Sequence, residues 1–169
     1  GQLRIYEKYD PTKFYLVGVD VATEAGNADS AITIHDYETM NQVAEFNGKM
    51  TVSNFQTVIE NIFIVYPNSM WVIEWNSYGE KLTGDLYNSK LMHDHIFVTE
   101  KKDKHGNIID IKPGVPTNIK TRNLYIDALY EYVKEQPDII QSKIMVSELI
   151  SLENVNGKFK SKDKDDLCM

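Results

Sequence analysis

With 169 residues, 42% hydrophobic and 25% charged, the chain has the composition of a folded domain rather than a disordered tail. No run approaches the roughly 18 apolar residues of a membrane span and no signal peptide opens the sequence, which excludes membrane classes. The lone Cys168 excludes an internal disulfide and fits a reducing compartment, and a net charge of -7 speaks against simple polyanion binding.

One domain is expected, and the start at Gly1 without Met suggests that it is an excised one. Residues 14–21 are nearly continuously apolar, as a central strand buried on both faces should be. Ala31 to His35 and Gln42 to Met50 follow over short connections that suit antiparallel pairing. Ser53 is an N-cap candidate for a helix over 54–66, whose Phe55, Val58, Ile59, Ile62 and Phe63 share a face and which Pro67 stops. A strand over 70–75 then runs parallel to the first, because the crossover is helical. Tyr78 to Asn88 reads as a helix and His95 to Thr99 as a strand. The Gly106-Asn107 signal predicts a protruding β-hairpin over 99–111. An amphipathic helix is expected over 118–135, on Ile119, Leu124, Ile126, Leu129, Tyr130 and Val133, and another over 142–152. A short strand follows over 158–162, after Asn156-Gly157. The closing residues look like the first turn of a further helix.

Three acidic positions stand out within this order. Asp20 ends the first apolar strand, Glu74 nearly ends the 70–75 strand, and Asp165-Asp166 stand near the end of the sequence. In an open α/β sheet, ligands collect beyond the carboxyl ends of the strands, so parallel neighbours would deliver Asp20 and Glu74 to one edge. Carboxylates gathered in a small space are usually gathered around a hard cation, Mg²⁺, Mn²⁺ or Ca²⁺. Two such ions can activate a water and steady a leaving oxygen, which phosphodiester hydrolysis needs. Each acid alone has a structural alternative: Asp20 as a turn cap bonded to Thr23, Glu74 as a buried acid paired with a Lys, the Asp165-Asp166 pair as partners of a helix dipole. Asp29, across the Gly26 loop, is expected to support the ligands rather than to bind metal itself.

Charge is unevenly spread. Residues 1–100 hold 6 Lys and Arg against 14 Asp and Glu, a net -8, whereas residues 101–169 hold 12 against 11. Within the second part, Lys101, Lys102, Lys104, Lys112, Lys120 and Arg122 outweigh Asp103 and Asp110 by +4, the natural resting place for a phosphate backbone; a solvated charged loop is the plain alternative. His35, His93, His95 and His105 show no metal-ligand spacing and are expected at the surface. Trp71 and Trp75 are expected in the core, and no P-loop occurs.

Tyr15-Leu16-Val17-Gly18-Val19-Asp20, followed by Glu24, Gly26, Asp29 and Ser30-Ala31, resembles the opening motif of the nuclease domain of tailed-phage terminase large subunits. Val72-Ile73-Glu74-Trp75-Asn76-Ser77-Tyr78-Gly79 resembles its second motif. Gly114-Val115-Pro116-Thr117 with Lys120 and Arg122 resembles the segment before its penultimate helices, and Asp165-Asp166-Leu167-Cys168-Met169 resembles its closing motif. The resemblance implies an α/β, RNase H-like fold, with a central mixed sheet of three antiparallel and then parallel strands, flanked by helices. It implies a divalent-metal endonuclease that cuts concatemeric viral DNA with two Mg²⁺ or Mn²⁺ ions. Asp20, Glu74 and Asp166 would be catalytic, with Asp165 as the alternative third ligand. Lys101, Lys102, Lys104, Lys120 and Arg122 would meet double-stranded DNA. Implied partners are the terminase ATPase domain (absent from this sequence), the small terminase subunit and the portal protein, in the cytoplasm of the infected host. Two departures stand out: Lys164 where many relatives have His or Gly, and an end at Met169 where relatives continue the helix.

Other functions compete. Resolvases and transposases of RNase H type share the acids but lack the Gly114 to Arg122 segment. Gly18-Val19-Asp20-Val21-Ala22-Thr23 resembles the phosphate loop of actin-like kinases, which repeat it in a second domain not seen here. A non-catalytic DNA- or portal-binding module would keep the fold with idle acids.

Overall fold

The structure, a computed structural model, describes residues 1–22, 29–75, 78–155 and 158–161. Six strands form the main sheet: β1 (Gln2–Ile5), β2 (Tyr15–Asp20), β3 (Ser30–Asp36), β4 (Gln42–Gly48), β5 (Ser69–Trp75) and β8 (Val115–Pro116), in the order β1-β4-β3-β2-β5-β8. Pairing is antiparallel from β1 to β2 and parallel from β2 through β5 to β8. The expected mixed sheet is present with a fourth antiparallel strand, since β1 adds an edge not foreseen from the sequence. Four mostly exposed residues give little periodic signal, and pairing with β4 creates the strand, helped by Arg4 at 3.3 Å from the buried Glu45 carboxylate.

Helix α1 (Val52–Val65) carries the chain from β4 to β5 and makes the parallel crossover. Its Phe55, Ile59, Ile62 and Phe63 are buried against Tyr15, Val17 and Val19 of β2 and Trp71 and Ile73 of β5, with Val58 partly buried at the margin. The cap is Thr51 rather than Ser53: its side chain accepts from Asn54 N–H at 3.2 Å, and Ser53 lies inside the helix. Both hydroxyls could cap, and the turn geometry chose the earlier. Helix α2 (Gly79–Asn88) covers the same face through Leu82 and Leu86.

The opposite face carries a smaller core. Ala31 of β3 meets Ile139, Ile140 and Met145, packed by Leu129 and Val133 of α3 (Ile119–Glu135) and Leu149 of α4 (Lys143–Ser151). The expected α3 face is partly corrected: Ile126, Leu129 and Val133 turn inward, but Leu124 and Tyr130 are exposed. After α4, β9 (Leu152–Val155) and β10 (Lys158–Ser161) pair antiparallel.

The strand expected over His95–Thr99 does not form as such. His93–His95 make a single tight turn, and Ile96 touches β5 by one parallel bridge to Trp71. The chain then leaves as a hairpin, β6 (Val98–Lys102) and β7 (Ile108–Pro113), turning at Gly106 with φ 85°. It returns through Gly114 to pair Val115 with Glu74. The hairpin is thus an insertion into a strand that would otherwise flank β5 along its length.

Candidate metal centre

The parallel pairing of β2 with β5 runs in register from Tyr15↔Ser69 to Val19↔Ile73. One further step in that register sets Asp20 level with Glu74. Strand alternation assigns both carboxylates to one face. Tyr15, Val17 and Val19 and their partners Trp71 and Ile73 are buried under α1 and α2, so Asp20 and Glu74 face the other way, with Gly18 and Val72. Both acids are half-buried at the carboxyl end of a central strand. Asp29, also half-buried, immediately precedes β3. Ser30 Oγ accepts from Ala22 N–H at 3.2 Å and so ties the exit of β2 to the entry of β3, which keeps Asp29 near the same edge. Asp20 and Asp29 are each engaged by a neighbour.

Asp165 and Asp166, expected as the third ligand, lie outside the described residues, as do Glu24 and Gly26. Among the described residues no group of three His, Cys, Asp or Glu assembles into a metal site. Two adjacent carboxylates fit a hard divalent cation in kind.

A cleft of about 700 Å³ opens on the same sheet face, lined by Gly18, Thr33, His35, Val72, Tyr125 and Glu74 among others. Its walls are otherwise chiefly apolar, so Glu74 is the group there suited to a cation. His35 is not a surface histidine. Its Nδ1 donates to the Met40 carbonyl at 3.0 Å, which leaves Nε2 to accept from Thr33 Oγ1 at 2.8 Å. Gln42 Nε2 donates to Thr33 Oγ1 at 3.3 Å. Burial holds the imidazole below its ordinary pKa, outweighing the bond to Met40. This neutral chain of hydrogen bonds stiffens the sheet behind the acids; sequence inspection gave no signal for it. His95 is half-buried too, bonded to the Ser69 carbonyl at 3.0 Å, whereas His93 and His105 are exposed.

Of the expected DNA-contacting residues, Lys101, Lys102 and Lys104 are exposed on the hairpin, Lys102 at 3.2 Å from Glu100. Arg122 is half-buried and engaged in the first turns of α3; Lys120 is in the same turn. Trp71 is a core residue as expected, but Trp75 is only half-buried, and Lys112 Nζ lies 4.4 Å from its ring centroid.

No protein-family model matches the sequence, and no curated protein matches it either. Solved structures do. The large terminase nuclease of the thermophilic phage G20c superposes with a TM-score of 0.70 at 13% identity, covering 100% of this chain and 84% of that one. The large terminase nuclease domain of Thermus phage P74-26 gives 0.67 at 16%, covering 99% and 81%. The chain has the fold of large terminase nucleases. The G20c nuclease with bound magnesium gives 0.65 at 15% identity, over 98% and 82%, and the same nuclease has been solved with cobalt and with zinc. The terminase-nuclease fold therefore accounts for the mixed sheet, its flanking helices and the hairpin. Among the described residues no helix is long and apolar enough to cross a membrane.

Proposed function

We propose that this chain is a single-domain, divalent-metal-dependent DNA endonuclease of terminase type, cutting concatemeric viral genomes during packaging. The observation that carries the reading is the level placement of Asp20 and Glu74 on adjacent parallel strands, within a fold shared with terminase nucleases. Asp166, or Asp165, completes the acidic set, with Asp29 supporting it. A bound pair of Mg²⁺ or Mn²⁺ ions would lower the pKa of an attacking water and steady the leaving oxygen. Magnesium in the G20c nuclease, a structure of the same fold, supports that choice of cation.

The chain's own contribution is placement. β2 and β5 hold two carboxylates at fixed spacing from one rigid sheet, and Lys101, Lys102, Lys104, Lys120 and Arg122 take phosphates of double-stranded DNA, which position the duplex without reading its bases. The partners are the terminase ATPase domain, the small subunit and the portal, in the host cytoplasm.

The test is supercoiled plasmid incubated with Mg²⁺, Mn²⁺ or EDTA, beside Asp20→Asn. Nicking and linearisation are expected with metal and the parent alone. Asp20→Asn should melt no lower than the parent, because removing one charge from a repelling pair relieves the metal-free state. Cleavage that persists in EDTA or in Asp20→Asn would refute the reading. A parent inactive in every metal would leave a DNA- or portal-binding module.

A further inference from the structure

The hairpin β6–β7 carries the lysines assigned to DNA, yet its strands are largely exposed, so few contacts fix its direction. Its base is closed by three hydrogen bonds, of which the first reaches the body and the other two cross between its own arms. Phe97 N–H donates to the Trp71 carbonyl at 2.9 Å, and Gly114 N–H to the Phe97 carbonyl at 2.7 Å. Thr99 Oγ1 donates to the Gly114 carbonyl at 2.7 Å. Gly114 itself has φ 85°, and a Cβ there would lie 2.7 Å from the Ile73 carbonyl oxygen, so the chain pivots at glycine directly against the strand of Glu74. Backbone bonds at a glycine pivot set where the hairpin begins but leave its angle soft.

A side-chain contact adds to these. Lys112, cross-strand neighbour of Thr99, places its Nζ 4.4 Å from the centroid of the indole ring of Trp75, next in sequence to Glu74. That distance is within the range of a cation–π contact, which is strongest for Trp. We propose that Lys112 is a positioning residue for DNA: resting on Trp75, it fixes the angle at which the hairpin leaves the body. It thereby sets where Lys101, Lys102 and Lys104 stand relative to the carboxylates. The inference deepens the nuclease reading and rests on it for the identity of the ligand.

Binding of a fluorescein-labelled DNA duplex, followed by anisotropy in Ca²⁺, provides the test. Lys112→Ala and Trp75→Leu should each weaken binding by about two- to fivefold, the range of an exposed cation–π contact. The double variant should be no weaker than either single one, while Lys112→Arg and Trp75→Tyr, which keep a cation and a π face, should retain most of the affinity. Without DNA, Lys112→Ala should also change the tryptophan emission, against the constant background of the buried Trp71. In the plasmid assay KM should rise more than kcat falls.

Additive losses in the double variant would mean that Lys112 meets phosphate independently of Trp75, and would overturn the proposal. So would parental affinity in both Lys112→Ala and Trp75→Leu, or unchanged emission in Lys112→Ala. A parent that fails to cut plasmid would count against the nuclease reading alone, since the anisotropy and emission measurements need no cleavage.

Discussion

The positions of Asp20 and Glu74 near strand ends were legible because each closes, or nearly closes, an apolar run of strand length. His35 was not legible: its partners Thr33 and Met40 lie close in sequence, but its burial is decided by tertiary packing. Burial depresses its pKa below the ordinary value of 6.5, so the native imidazole stays neutral at a pH where the unfolded chain already takes up a proton. Between the folded pKa and 6.5 the unfolded state binds more protons, and stability falls as pH drops through that window. Urea unfolding on either side of 6.5 should therefore show the parent losing stability on acidification more than His35→Gln does. Equal losses would place the titrating group elsewhere. Asp36 behaves differently: burial alone would raise its pKa, but the ion pair with Lys13 at 2.6 Å and backbone bonds from Glu38 and Thr39 hold it low.

Helices with a periodic apolar face were readable as elements: α1, α2, α3 and α4 all lie close to their expected spans. What was misplaced lies where two local signals compete, as at Thr51 against Ser53, or where pairing alone makes the element, as in β1. The attachment of α4 is a case of the second kind. Gln42 Oε1 on β4 accepts from Gln141 N–H at 3.0 Å and from Ser142 N–H at 2.8 Å, and Ser142 in turn caps α4 by accepting from Met145 N–H. One side chain thus ties the second core to the sheet across about a hundred residues of sequence. Truncation leaves two N–H donors without that acceptor, at a cost of about 2 kcal/mol or more. Gln42→Ala should lose that much stability and speed amide exchange at Gln141 and Ser142 while leaving α1 protected. Gln42→Glu keeps the acceptor but replaces the amide donor to Glu45 with a second buried carboxylate, so it too should lose stability. Equal exchange in all three proteins would show that the tether is dispensable.

At the scale of the whole molecule, the proposed function makes charge separation the control on DNA binding. The first hundred residues carry -8 and would repel a duplex, while the exposed hairpin lysines would attract it. With only a few phosphate contacts available, affinity should be weak and fall with salt at a log–log slope of about -2 to -4. Tight binding indifferent to salt would contradict this balance.

The sequence by itself determined the class of the fold, the helical crossover that makes β2 and β5 parallel, and the two acids at their ends. Each of these follows from local hydrophobic period and chain direction, which are written in consecutive residues. Only the tertiary structure decided that the hairpin interrupts the strand beside β5, that Trp75 carries Lys112, and that Gln42 joins the sheet to the start of α4. Those contacts link residues tens of positions apart, and nothing in a local pattern specifies which distant side chain will close a hydrogen bond or cover a ring.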